Sequence, residues 1–180
     1  MGSDRKVALL RGVNVGRAKR VAMADLRALV EALGYGEVRT VLASGNVVFA
    51  APGAAAAEAA GRIETALAAK LGLASRVTVL TATELAAVVA DNPLHQGAEN
   101  PSRLLVAILS RPADRARLDP LVRRDWAPDA LALGARVAYL WCPLGILVSP
   151  LAQAVGRALG EWATTRNWAT ILKLHALAGG

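Results

Sequence analysis

The sequence predicts an α+β protein of two ferredoxin-like lobes, each an antiparallel sheet with helices on one face, with an extra helix at the C-terminus. Three observations predict it. Apolar periodicity alternates between strand and helix in the order β-α-β-β-α-β from Lys6 to Leu80, which is the split βαβ arrangement. A similar order restarts after Asn92-Pro93. Glycine, proline and asparagine stand between the periodic segments, where turns are needed.

Lys6 to Leu10 is an uninterrupted apolar run closed by Arg11 and Gly12, as in a strand buried on both faces. After a basic loop to Arg20, Met23, Leu26, Leu29, Val30 and Leu33 recur at helical spacing and Gly34 supplies the stop. Val38 to Ala43 and Val47 to Ala50 flank Ser44-Gly45-Asn46, a hairpin signal because Gly and Asn both tolerate positive φ. Pro52 and Gly53 break the chain before an Ala-rich helix, Ala54 to Leu71, with Ala60, Ile63, Leu67 and Leu71 on one stripe. Arg76 to Leu80 is then a strand. Thr81 and Glu84 stand at capping-box spacing and open a helix from about Ala82 to Ala90.

In the second half Arg103 to Leu109 is a strand, and Pro112 opens a helix reaching about Arg124. Ala130 to Cys142 holds two strands around a Gly134 to Arg136 turn. Ser149-Pro150 is an N-cap followed by a first-turn proline, and Leu151, Val155, Leu159 and Trp162 form a helical stripe. Thr164 or Thr165 caps a final helix to about Ala178, so the second half closes with a helix where the first closes with a strand. The expected division is 1–91, a first lobe with a linker helix, and 92–180, a second lobe with the C-terminal helix; the junction falls between Asp91 and Ser102.

A chain of 180 residues can bury a core without a disulfide or metal. Its apolar fraction is 54% but only 4% is aromatic, so that core is rich in small residues. The single cysteine, Cys142, excludes an internal disulfide and suits a reducing compartment. No apolar run is long enough to span a bilayer, and Met1 to Lys6 has no apolar signal region; the expectation is a cytoplasmic protein with no membrane partner. The net charge of +7 favours polyanions, phosphorylated metabolites or acidic partners. That charge concentrates in Arg5, Lys6, Arg11, Arg17, Lys19 and Arg20, which makes the N-terminal loop the positive pole.

Three segments carry a family pattern: Leu10-Arg11-Gly12-Val13-Asn14-Val15-Gly16, Ser44-Gly45-Asn46-Val47-Val48-Phe49, and Thr164-Thr165-Arg166-Asn167-Trp168 continuing through Thr170 to Lys173. Together they resemble the domain-of-unknown-function family 1697 (DUF 1697) over essentially the whole chain. The resemblance implies ferredoxin-like units and no established activity. In similar proteins a Gly-rich turn and a Ser-Lys pair stand near the fifth helix. Here the segment is Gly145-Ile146-Leu147-Val148-Ser149-Pro150, without the lysine.

The candidate ligand-binding residues are Arg11, Gly12, Asn14 and Gly16 in the first loop, and Thr164, Thr165, Arg166, Asn167 and Lys173 near the last helix. The first loop lies between a strand and a helix, a place where backbone amides meet anions. It lacks the P-loop ending and the three-glycine dinucleotide fingerprint. The structural alternative is that Gly12 and Gly16 bend the loop and Asn14 caps it. Chain order alone does not make this loop and the Ser44-Asn46 hairpin neighbours. Arg166 in a first helical turn faces the wrong end of the macrodipole, so either a bound anion or a carboxylate such as Glu161 compensates it.

His95 and His175 fit no metal-site spacing, and neither a metal nor another cofactor is expected. His175 falls on the Trp168, Ile171, Leu172 stripe as a packing residue. No acid–base pair or nucleophile elbow is visible. Three readings follow: a non-catalytic binder of an anionic ligand, either nucleic acid or a phosphorylated metabolite; a small metal-independent enzyme acting on a phosphorylated or carboxylated substrate; and a structural homo-oligomer.

Overall fold

The order of elements follows the sequence closely until the end of the chain. The computed structural model describes residues 4–17, 19–95 and 99–179. The start before Asp4, Ala18 of the basic loop and residues 96–98 of the expected junction lie outside the described residues. The described residues form two four-stranded antiparallel sheets and six α-helices. By internal packing the chain divides into Met1–Ala86 with Leu174–Gly180, and Ala87–Lys173.

The first unit holds β1 (Arg5–Leu10), α1 (Met23–Ala32), β2 (Gly36–Val41), β3 (Asn46–Ala50), α2 (Ala56–Leu71) and β4 (Val77–Thr81). Its sheet order is β2-β3-β1-β4, with β1 antiparallel to both β3 and β4. Val7 to Leu10 are almost completely buried, as the unbroken apolar run requires for a central strand. Leu26, Leu29 and Val30 of α1 and Ala59, Ile63, Ala66 and Leu67 of α2 form one core with Ala8, Leu10, Val47, Phe49, Val77 and Val79. These strand residues alternate, so both helices cover the same sheet face. Gly72, with φ +62°, ends α2 in the left-handed region. α3 (Ala82–Ala90) opens with the expected capping box: Thr81 N donates to Glu84 Oε2 (2.8 Å) and Glu84 N donates to Thr81 Oγ1 (3.1 Å).

The hairpin between β2 and β3 is present, but its positive-φ residues are Leu42 (57°) and Gly45 (81°). Asn46 is instead the first residue of β3, paired with Val41. Its amide donates to Val41 O (2.8 Å) and Ser44 Oγ (2.9 Å), closing a four-residue turn from inside the strand.

The second unit holds β5 (Leu104–Leu109), a 3-10 segment Pro112–Leu118, α4 (Asp119–Val122), β6 (Ala130–Leu133), β7 (Val137–Trp141), α5 (Pro150–Leu159) and β8 (Ala163–Asn167). Its sheet order is β6-β7-β5-β8, and β5 is antiparallel to β7 and β8. The expected long helix from Pro112 is broken. Pro120 has no N–H to continue it, and an α-helix restarts with that proline in its first turn. Ser149 caps α5, accepting from Ala152 N (2.9 Å) while donating to Asp129 Oδ2 (2.7 Å). Leu151, Ala154, Val155 and Leu159 pack on Ala107, Leu109, Ala138, Leu140 and Cys142. Burial pushes the Cys142 thiol up from its ordinary pKa.

Between β7 and α5, Leu144, Leu147 and Val148 are 73%, 93% and 64% exposed, an aliphatic knuckle on the surface of the second unit. After β8 comes α6 (Trp168–Ala178), so the second half closes with a strand as the first does. The expectation of a helix from Thr164 is therefore corrected. Thr164 and Thr165 are β-branched residues inside a strand that pairs Leu109 to Leu105 with Ala163 to Asn167. The cap of α6 is Asn167, whose Oδ1 accepts from Thr170 N (2.9 Å).

Candidate functional site

The loop from Arg11 to Arg20 leaves the centre of the first sheet, and hydrogen bonds fix both its ends. Leu10 N donates to Gly45 O (2.8 Å), Arg11 N to Arg76 O (2.9 Å), and Ser75 Oγ to Arg11 O (2.9 Å). Val13 is buried and anchors the loop to the core. Asn14 organises the rest. With φ 54° it occupies the left-handed region that Asn tolerates. Its N–H donates to Lys19 O (3.0 Å), its Oδ1 accepts from Val21 N (2.9 Å), and its Nδ2 donates to Val21 O (3.0 Å) and Ala43 O (2.7 Å). One side chain thus closes the loop on itself and ties it to the hairpin.

This answers the question of adjacency that chain order leaves open. A Cβ on Gly45 would lie 2.5 Å from Val13 Cγ2 and 2.8 Å from Leu10 Cβ, so hairpin and loop are in van der Waals contact. Asn14→Ala removes three side-chain hydrogen bonds and forces alanine to a left-handed φ. It is expected to cost about 2 kcal/mol by urea denaturation. Asn14→Gly keeps the φ and isolates the hydrogen-bond share.

Gly12, Val15, Gly16, Arg17, Lys19 and Arg20 are exposed, and Arg11 is half-buried. Arg20 Nη2 donates to Gly16 O (2.6 Å), holding one cation against the loop backbone. No acidic residue occurs between Arg5 and Asp25, so the loop carries its positive charge without local neutralisation in sequence. Protein groups engage the Asn14 amide on both sides, as a cap of the loop requires. Gly12 and Gly16, with φ 68° and 60°, serve the loop's curvature.

The other candidate residues belong to the second unit. Thr164 is buried in β8, Thr165 is exposed, and Asn167 caps α6. Arg166 lies in the strand, 9% exposed, and its Nη1 donates to Thr165 O (2.7 Å). Desolvation lowers its pKa to about 10, well above neutrality, so the guanidinium keeps its charge inside the fold. The macrodipole argument does not apply to it, because it precedes the helix. Lys173 is exposed on α6.

A cluster that sequence reasoning passed over follows β5. The Arg111 and Arg117 guanidinium carbons lie 5.0 and 5.4 Å from the Trp162 ring centroid. Between them Asp114, 3% exposed, accepts from Arg111 Nη2 (3.1 Å) and Nε (3.4 Å) and from Arg117 Nε (3.3 Å). The hydrogen bond from Arg111 holds the Asp114 carboxyl below the usual carboxylate range. The available signal was three arginines in seven residues directly after a strand. His95 is engaged through Nδ1 with Asn92 O (2.7 Å). Among the described residues no three His, Cys, Asp or Glu side chains are grouped to hold a metal ion.

The model of the family "Protein of unknown function (DUF1697)" matches residues 4–139. The chain belongs to the DUF1697 family. The matched range contains the Leu10–Gly16 and Ser44–Phe49 motifs, whereas the Thr164–Lys173 segment lies beyond it. The DUF1697 chain is also similar to the solved structure of conserved bacterial protein SP0830 from Streptococcus pneumoniae. The two share 20% identity at a TM-score of 0.75, over 97% of this chain and 98% of that one. At that identity the likeness concerns the fold. No curated protein matches this DUF1697 chain.

Proposed function

We propose that this DUF1697 protein is a non-catalytic binder of an anionic ligand, and that the Arg11–Arg20 loop of the first unit is its principal contact. One observation carries the reading: Asn14 holds the loop and the hairpin as one piece while Arg17, Lys19 and Arg20 stand exposed on it. Cations on a backbone already fixed lose less freedom on binding than cations on a flexible tail. The protein's own polar groups consume the Asn14 amide, and the exposed cations are spread along the loop. Such a surface suits a ligand carrying several phosphates, nucleic acid before a small metabolite. In this reading Thr164, Thr165, Arg166, Asn167 and Lys173 take no part in the primary contact.

The same reading takes each unit as a ferredoxin-like lobe and the protein as cytoplasmic. The strand orders β2-β3-β1-β4 and β6-β7-β5-β8, all antiparallel, support the first part. The lone buried cysteine supports the second. The test is fluorescence anisotropy with single- and double-stranded oligonucleotides and a nucleotide panel, each at low and moderate salt. Oligonucleotide binding that weakens steeply with salt is expected; no binding by any ligand sinks the reading.

A further inference from the structure

We propose that Arg111 and Arg117, stacked on Trp162, form a second anion site in this protein, one that takes a phosphate group. Both guanidinium groups lie within 5.4 Å of one indole ring, and one carboxylate, Asp114, serves both. Two positive charges thus share a single negative one. Asp114 is buried, while the arginine side chains are 62% and 43% exposed. The neutralising group is therefore on the inside, and the face turned to water retains the excess charge.

Each guanidinium has five N–H donors, and Asp114 accepts three bonds from the pair. The donors that Asp114 does not take are sufficient for a phosphate. A free surface arginine surrenders much side-chain entropy on binding. Here the ring and the carboxylate have already restrained both side chains, and planar guanidinium edges match the oxygens of a phosphate. Arg136 fixes the backbone beneath, its Nε donating to Leu109 O (2.9 Å) and its Nη2 to Ser110 O (3.2 Å). Trp162 is held at the opposite edge of β5, where Ser110 N donates to Trp162 O (2.8 Å). Exposed Arg115 adds a further cation, and exposed Glu161 is the acidic neighbour of the ring in sequence.

The position in the chain is a separate observation. In each unit the segment leaving the first strand of the sheet carries a group of basic residues: Arg11, Arg17, Lys19 and Arg20 after β1, and Arg111, Arg115 and Arg117 after β5. The site in the second unit stands on its own geometry and does not depend on the loop of the first.

The experiment is an NMR titration of the arginine Nε–H resonances with inorganic phosphate, pyrophosphate and a short oligothymidylate. It uses the wild-type chain, Arg117→Lys, Trp162→Leu, and Arg17→Glu/Lys19→Glu/Arg20→Glu, with the backbone amide spectrum confirming each fold. Saturable shifts of the Arg111 and Arg117 signals are expected. Affinity falls roughly tenfold in Arg117→Lys, which keeps the charge but loses the fork, and inorganic phosphate binds the triple variant here as it binds wild type. Saturation by phosphate or pyrophosphate assigns the site to small phosphorylated ligands, and saturation by the oligonucleotide alone assigns it to a nucleic-acid backbone. Shifts that never saturate, or saturate equally in Arg117→Lys, overturn the proposal. Should Trp162→Leu fail to fold, Arg117→Lys decides it.

Discussion

Gly45→Ala is expected to destabilise the first unit by about 3–5 kcal/mol, the largest effect of any single substitution proposed for this protein. Two costs add. Alanine at φ 81° occupies a region that L-residues disfavour by roughly 1–2 kcal/mol. The new methyl also enters a space already filled, 2.5 Å from Val13 Cγ2 and 2.8 Å from Leu10 Cβ. Leu10 Cβ cannot swing aside, since it is fixed to the backbone of a strand paired on both edges. Relief must come from moving the hairpin, which would stretch Leu10 N to Gly45 O and Asn14 Nδ2 to Ala43 O. Gly12→Ala is the control: φ is also positive, but nothing lies within 4 Å of the new Cβ. Urea denaturation should therefore separate the two by about 2–3 kcal/mol, the overpacking share. Equal losses would mean that backbone conformation alone was responsible.

The second large effect concerns binding. Reversing Arg17, Lys19 and Arg20 to glutamate is expected to weaken oligonucleotide binding about 100-fold, on the order of 1 kcal/mol for each phosphate no longer met by a cation. All three side chains are exposed, and although Arg20 gives up its bond to Gly16 O, the Asn14 bonds still hold the loop, so the melting temperature should change little. Salt dependence is the sharper measure. If the three cations each meet a phosphate, the slope of log K against log salt should flatten by about three. A slope equal to that of the wild type would place the binding surface away from this loop, whatever the change in affinity.

Most of the architecture was legible because local signals decided it. The Thr81–Glu84 capping box, the Ser149-Pro150 start and the stop at Gly34 each act within one turn of chain, and each stands where local chemistry puts it. The failures have two causes. Ala163 to Asn167 is only five residues long, and the partner that makes it a strand is β5, far back in the sequence. Read locally, two threonines before an apolar helical stripe look like caps; the pairing that overrides this is invisible to a window. The segment after Pro112 failed for a local reason passed over, Pro120. The site divides in the same way. Charge and glycines in the first loop could be read directly, but the Asn14 link to Ala43 and the meeting of Arg111, Arg117 and Trp162 belong to tertiary structure.

The aliphatic knuckle at Leu144, Leu147 and Val148 bears on how the molecule behaves in crowded solution. At low ionic strength like charge on a +7 protein keeps copies apart, and three bare side chains rarely touch a neighbour. Added electrolyte shortens the reach of that repulsion to about 10 Å at 0.1 M, while leaving hydrophobic adhesion intact. Salt thus pulls in two directions, freeing the cationic surfaces of their polyanions and letting the bare tips adhere. Colloidal stability is bounded from the saline side.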